Sequence, residues 1–282
     1  GTEVILGLPG ETRASHLDAL RQLFDWNVGF IICYNGLILD GSEMRAEQKA
    51  GGFVCTTAYR LIDSSFGRYD DILSFETEEG IRSTDTMSEE DILFFRPVHW
   101  LIQFLWNYRF YYDLLKYLQG AGINPIDFIV DLVEKVPLQA PEAVQGLFAA
   151  FAKEARTEWF ATEDELRRAY ATPERFAALG EGVYGKMNGK YIFKVLVECR
   201  TAFEAYLRQV ACGYAGMFPV NTEAVGDLCA LLGASIIDLT RSPEQFLGER
   251  SVTLCHDIPA WRAVRYGRPL GGPHAARVGG RR

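Results

Sequence analysis

Glu3-Val4-Ile5-Leu6-Gly7-Leu8-Pro9-Gly10-Glu11-Thr12 decides how this chain begins to fold. Val4-Ile5-Leu6 is a short apolar run with β-branched members, the composition of a buried strand. Gly7 and Gly10 let the backbone turn and approach a ligand without a Cβ in the way, and Pro9 stiffens the bend. Beyond Thr12, Leu17, Leu20, Leu23 and Phe24 recur at helical spacing, and a second apolar run from Val28 to Leu39 contains Phe30-Ile31-Ile32-Cys33-Tyr34. About a dozen helical residues between two apolar strands suit a right-handed crossover between parallel strands buried on both faces. Ligands of such folds bind at the C-terminal ends of the strands, where this glycine turn falls. The turn matches neither G-x-x-x-x-G-K-S/T nor G-x-G-x-x-G, which sets aside phosphate-loop and dinucleotide binding.

Downstream, residues 40–85 read as a long connection with short strands, broken at Asp40-Gly41-Ser42-Glu43 and at Gly51-Gly52. Ser88-Glu89-Glu90-Asp91 sets up a capping box, with the acid three residues on facing free amides. From there the pattern is helical, with helices expected at 89–119, 125–136, 141–157, 163–170, 173–179, 189–212 and 221–232. The fold class expected is an α/β start followed by a mostly α-helical C-terminal region. Its parts would be residues 1–85 for the strands and connections, 86–266 for a helical domain, and a basic, Gly- and Pro-rich tail at 267–282 expected to be disordered.

Composition narrows the function. A formal charge of -8 argues against a broad nucleic-acid face, which needs clustered Lys and Arg. No window reaches the roughly 18 uninterrupted apolar residues of a spanning helix, and no signal-peptide pattern is visible, so no membrane span is expected. The six cysteines, Cys33, Cys55, Cys199, Cys212, Cys229 and Cys255, are too far apart for a metal-ligand motif and read as buried thiols of a cytoplasmic protein. An opening on a central strand leads us to expect that an N-terminal part precedes it. No catalytic cluster can be named, and no metal ligand is assigned in this chain.

Ile5-x-Gly7-Leu8-Pro9-Gly10-Glu11-Thr12, followed by a helix and an apolar strand, resembles the fifth strand and turn of radical S-adenosylmethionine barrels. The common pattern there is G-x-I-x-G-x-x-E. Here Glu3 replaces the first glycine and the acid comes one place late, as in the subgroup with I-x-G-x-P-G-E-T. The stretch from Phe30 to Leu39, then Gly41-Ser42-Glu43, is similar to the sixth strand and its L-x-L-x-G-T-E continuation. Thr57-Ala58-Tyr59-Arg60, Phe66-Gly67-Arg68-Tyr69, Phe75-Glu76-Thr77-Glu78-Glu79, Leu179-Gly180-Glu181-Gly182 and His256-Asp257-Ile258-Pro259 follow in the order of members with an N-terminal cobalamin-binding domain. The resemblance covers roughly residues 1–262 and implies that the α/β start is the last strands of a partial TIM-type barrel.

It implies that Ile5, Gly7, Leu8, Pro9, Gly10, Tyr34, Asn35 and Leu37 lie against the adenosyl part of S-adenosylmethionine, and that Arg60, Arg68 and Glu76 line a polar substrate end. It implies also a 4Fe-4S iron–sulfur cluster on cysteines outside this chain, cobalamin bound elsewhere, and a partner in the protein's own N-terminal part. Without the CxxxCxxC that holds the cluster, the chain alone is expected to be inactive. The alternative is a non-enzymatic helical interaction module or pseudoenzyme, since most residues after Ser88 read as helical. On residue type alone, His16 sits on the exposed face of the first helix, His99 in an aromatic helix, His256 beside Cys255 as a weak ligand pair with no further ligand nearby, and Tyr59 and Tyr69 as packing residues. Trp100, Phe104, Trp106, Tyr108, Phe110, Tyr111 and Tyr112 read as a buried aromatic helix.

Overall fold

A computed structural model describes residues 1–184, 187–239, 251–266 and 270, and the backbone of 276–279. It opens with β1 (Thr2–Leu6), α1 (Arg13–Asp25) and β2 (Ile31–Asn35), the two strands pairing as one sheet. The Gly36 amide donates to the Leu6 carbonyl at 2.7 Å, which sets the C-terminal ends of both strands side by side. The strands are therefore parallel and α1 is their crossover. Gly7 leaves β1 with φ 88°, a left-handed conformation that excludes most side chains.

The next segment corrects the reading of short strands. After α2 (Glu43–Ala50), capped by Ser42 accepting from the Arg45 amide, β3 (Cys55–Tyr69) and β4 (Ile72–Thr84) form one long antiparallel hairpin. Asp63-Ser64-Ser65 has turn chemistry but forms a bulge inside β3: Leu61 faces Thr77 while Phe66 already faces Phe75, and Ser64 has φ 60°. The reversal itself is the pair Asp70-Asp71, since Tyr69 faces Ile72.

The helical remainder follows the sequence closely at its caps. At the start of α3 (Glu89–Leu101), Ser88 Oγ accepts from the Asp91 amide at 3.2 Å and Asp91 accepts from the Ser88 amide at 3.0 Å. The helix expected over 89–119 is interrupted. A π-helical turn over Ile102–Asn107 ends α3, Arg109 adopts φ 60°, and α4 (Tyr112–Gly120) begins afresh. The side chain of Asn107 explains the stop, because its amide donates to the Ile31 carbonyl at 2.7 Å and its oxygen accepts from the Ile31 amide at 3.0 Å. Then come α5 (Pro125–Glu134), α6 (Val136–Gln139), α7 (Glu142–Thr157), α8 (Glu163–Tyr170), α9 (Pro173–Gly180) and α10 (Met187–Lys194). A second π-helical segment, Val195–Cys199, leads into α11 (Arg200–Cys212), followed by α12 (Thr222–Ser235) and α13 (Ile258–Ala263). Of the expected disordered tail, Ala276–Gly279 forms a strand, β6, antiparallel to β5 (Ser251–Leu254); most of the rest lies outside the described residues.

Contacts group the chain into two compact units that cut across the expected boundary at residue 85. One comprises residues 1–19, 32–99 and 149–191, the other 20–31, 100–148 and 192 onward. In the first, Phe75, Leu166, Tyr170 and Leu179 form a small core under the hairpin, flanked by Tyr59, Phe66, Phe160 and Phe176. In the second, Trp100, Phe104, Trp106 and Tyr111 are buried, with Phe104 against Phe203 at 5.6 Å and Trp106 edge-on to Phe24 at 4.9 Å. Tyr108 departs from the buried reading, being half exposed. Among the described residues, no helix is long and apolar enough to cross a membrane.

Candidate functional site

The turn after β1 is organised by one carboxylate. Glu11 Oε2 accepts from the Gly7 amide at 2.6 Å and the Leu8 amide at 3.3 Å, while its Oε1 lies 2.7 Å from His16 Nδ1. On its far side His16 Nε2 meets His99 Nε2 at 3.0 Å. His16 is not on an exposed face, contrary to the sequence reading; it is wholly buried, edge-on to Phe95 at 4.5 Å. Burial alone raises the Glu11 pKa, but the His16 hydrogen bond and the two amides outweigh it and hold the carboxyl below its ordinary range. Burial, with His16 and Arg96 nearby, pushes the His99 imidazole well below the usual histidine range, so it is neutral. The contact between the two Nε2 atoms then has one donor and one acceptor. This chain of side chains fixes the turn from inside and consumes its first two amides, so the turn offers an anion no empty nest at Gly7 and Leu8.

What the strands present beside that turn is apolar. The Leu6–Gly36 hydrogen bond aligns Leu6 with Asn35 in a parallel ladder, hence Ile5 with Tyr34 on the opposite face. Leu6 and Asn35 are buried, whereas Ile5 is 43% and Tyr34 48% exposed. Pro9 and Gly10 are exposed at the bend and Leu8 is half-buried. Gly7 is buried, with Ile81 and Ile92 against the position a Cβ would take. Leu37 bridges to Gly80 of β4. The eight residues implied for adenosyl contact thus divide: Ile5 and Tyr34 share an open face, with Leu8, Pro9 and Gly10 in the bend that follows β1. Gly7 and Asn35 are buried, and Leu37 joins the hairpin.

The three residues implied for substrate are not brought together. Arg60 is partly buried and paired with Glu78 and Glu158, Arg68 is exposed near the hairpin tip, and Glu76 is exposed opposite the β3 bulge. Arg60 and Arg68 lie eight positions apart along β3, roughly 20 Å or more. Tyr59 packs under the hairpin but Tyr69 is largely exposed. His256 is held by Asp227, whose Oδ2 lies 2.8 Å from its Nδ1. The cysteines are free thiols: Cys199 is buried, Cys255 is exposed, and the other four are intermediate rather than buried. Burial pushes the Cys33 thiol up to about 12. Among the described residues, no three His, Cys, Asp or Glu side chains gather as metal ligands.

Sequence reasoning missed the Glu11–His16–His99 chain because 83 residues separate the two histidines. The one available signal was the five-residue spacing of Glu11 and His16 across a helix start. No protein-family model matches the chain, and no curated protein matches it.

Proposed function

We propose that the chain is the C-terminal portion of a radical S-adenosylmethionine enzyme, contributing the last two strands of a parallel barrel and the helical region after them. The observation that carries this reading is the open face of β1 and β2. Parallel sheets are normally covered on both faces, and pairs of strands hold poorly on their own. Here Ile5 and Tyr34 stay exposed at the C-terminal ends of the strands, where α/β folds take their ligands.

On this reading Ile5 and Tyr34 hold the adenine and keep water from it, and Leu8, Pro9 and Gly10 form the rim. Glu11 holds the Gly7 and Leu8 amides, so the rim is set before the cofactor arrives. S-adenosylmethionine, when bound, supplies the methyl or adenosyl group. The six cysteines do not fit an iron–sulfur cluster, because their spacing provides no ligand set, and no step is assigned to them. The order of the sequence landmarks supports the subgroup that also binds cobalamin.

The test is to express the whole reading frame that contains this chain, reconstitute it anaerobically, and assay 5′-deoxyadenosine and S-adenosylhomocysteine. Product from the whole protein and none from the chain alone is expected. In the whole protein, Ile5→Asp should weaken S-adenosylmethionine binding at least about tenfold with the cluster absorbance unchanged. A stop codon immediately ahead of Gly1, or a stoichiometric cluster on the chain alone, contradicts the reading.

A further inference from the structure

A second site lies under the hairpin, built from residues that the adenosyl reading does not use. Trp159, just past α7, sits on Gly80 of β4, and a Cβ at position 80 would run into its ring. Two guanidinium groups lie over the same indole, Arg82 at 4.7 Å and Arg60 at 4.8 Å from the ring centroid. Arg96 of α3 joins them through Glu158, whose Oε1 takes Arg96 Nη2 at 2.7 Å and Arg60 Nη1 at 3.2 Å. Arg60 also pairs with Glu78.

Three donors of this cluster are buried and have no acceptor: Arg82 Nη1, Arg96 Nε and Trp159 Nε1. Arg82 is 5% exposed, yet its one acid partner, Glu89 at 2.5 Å, has a side chain more than half exposed. A nearly buried cation whose acid partner faces solvent is costly, and each unmet buried donor adds to that cost. Burial lowers the Arg96 pKa, and Arg60 and Arg82 nearby lower it further while Glu158 and Glu78 raise it. The backbone is shaped around this point. Thr56 faces Ser83 and Thr57 faces Ile81, which leaves Arg82 as the extra residue of a β-bulge. Bulges redirect a side chain and recur next to binding sites.

We infer that Arg82, Arg96 and Trp159 form a binding site for a small oxyanion of the carboxylate or phosphate class. Arginine forks and an indole N–H are donors only, so a group that completes them must be an acceptor, and an oxyanion accepts from donors of both kinds. Arg60, implied above as a substrate contact by resemblance, acts here through its place on the indole. The site does not depend on the adenosyl reading and stands or falls separately.

The experiment follows the Trp159 indole N–H resonance of the 282-residue chain, assigned by its loss in Trp159→Phe. Inorganic phosphate and acetate are titrated separately at constant ionic strength, with chloride as the balancing anion. A saturable downfield shift with one of them, abolished in Arg82→Gln, is expected, and the arm that saturates names the class. Arg82→Lys keeps the charge but loses the second fork donor, so it should weaken binding about tenfold and serves if Arg82→Gln does not fold. An indole resonance unmoved by both anions, or a shift that survives in the Arg82 variants undiminished, overturns the inference and leaves the unmet donors to water.

Discussion

The chain contains two small sheets in one compact unit, and they are finished differently. The β3–β4 hairpin is covered by the chain itself: Phe75 is 3% exposed among Leu166, Tyr170 and Leu179, and its other end closes on Trp159 and three arginines. The β1–β2 sheet is as apolar yet leaves Ile5 and Tyr34 in the open. Composition alone does not separate them. What separates them is whether a later helix supplies the covering surface. The hairpin is therefore covered along its middle by later helices and exposes Tyr69 and Ile72 at its tip, whereas the parallel pair is open at the C-terminal ends of its strands.

Substitutions should sharpen that contrast. The largest loss is expected for Phe75→Ala, about 3–5 kcal/mol by urea denaturation, because it empties the core under the hairpin. A loss below about 1 kcal/mol would mean the hairpin is not held as described. Glu11→Gln should cost about 1.5–3 kcal/mol near neutral pH, since a charged acceptor of two amides and an imidazole is lost. Because the folded Glu11 pKa is depressed, its contribution is present above the unfolded value and disappears as pH falls through the folded one. The penalty of Glu11→Gln should accordingly shrink in acid.

His99 bends stability the same way but in a higher window. Its folded pKa is lowered, so below about pH 6.5 the unfolded chain takes up a proton that the folded chain refuses. Stability should drop as pH falls from there, and His99→Phe should flatten that slope in a pH series of denaturation midpoints. An unchanged slope would remove His99 from the account. The smallest effect belongs to the open sheet: Ile5→Ser and Tyr34→Ser should each change the stability of the chain alone by less than about 0.5 kcal/mol. A core-sized loss at either position would mean that this face is packed after all.

Much of this was legible in residue order. The strand, glycine turn and helix of the first 25 residues, the crossover to β2, and the cap at Ser88 each follow from local chemistry. The hairpin was hidden because Asp63-Ser64-Ser65 looks like a turn and is a bulge. The stop after Asn107 was hidden because no Gly or Pro marks it; the cause is a side chain pairing with Ile31, 76 residues away. The candidate site divided likewise. Ile5 and the bend could be found from spacing, but the carboxylate–imidazole chain behind them and the arginines around Trp159 are made by contacts between distant segments.

The most direct measurement is amide hydrogen exchange in β1, made on the chain alone and on the product of its whole reading frame. Leu6 points its backbone polar groups toward β2, so the amides of Glu3 and Ile5 point to the opposite edge. If the sheet continues in the whole protein, Glu3 and Ile5 should exchange fast in the chain alone and become protected in the complete product, while Val4 and Leu6 change little. Equally fast exchange of Glu3 and Ile5 in both would contradict the account and make the parallel pair a finished edge.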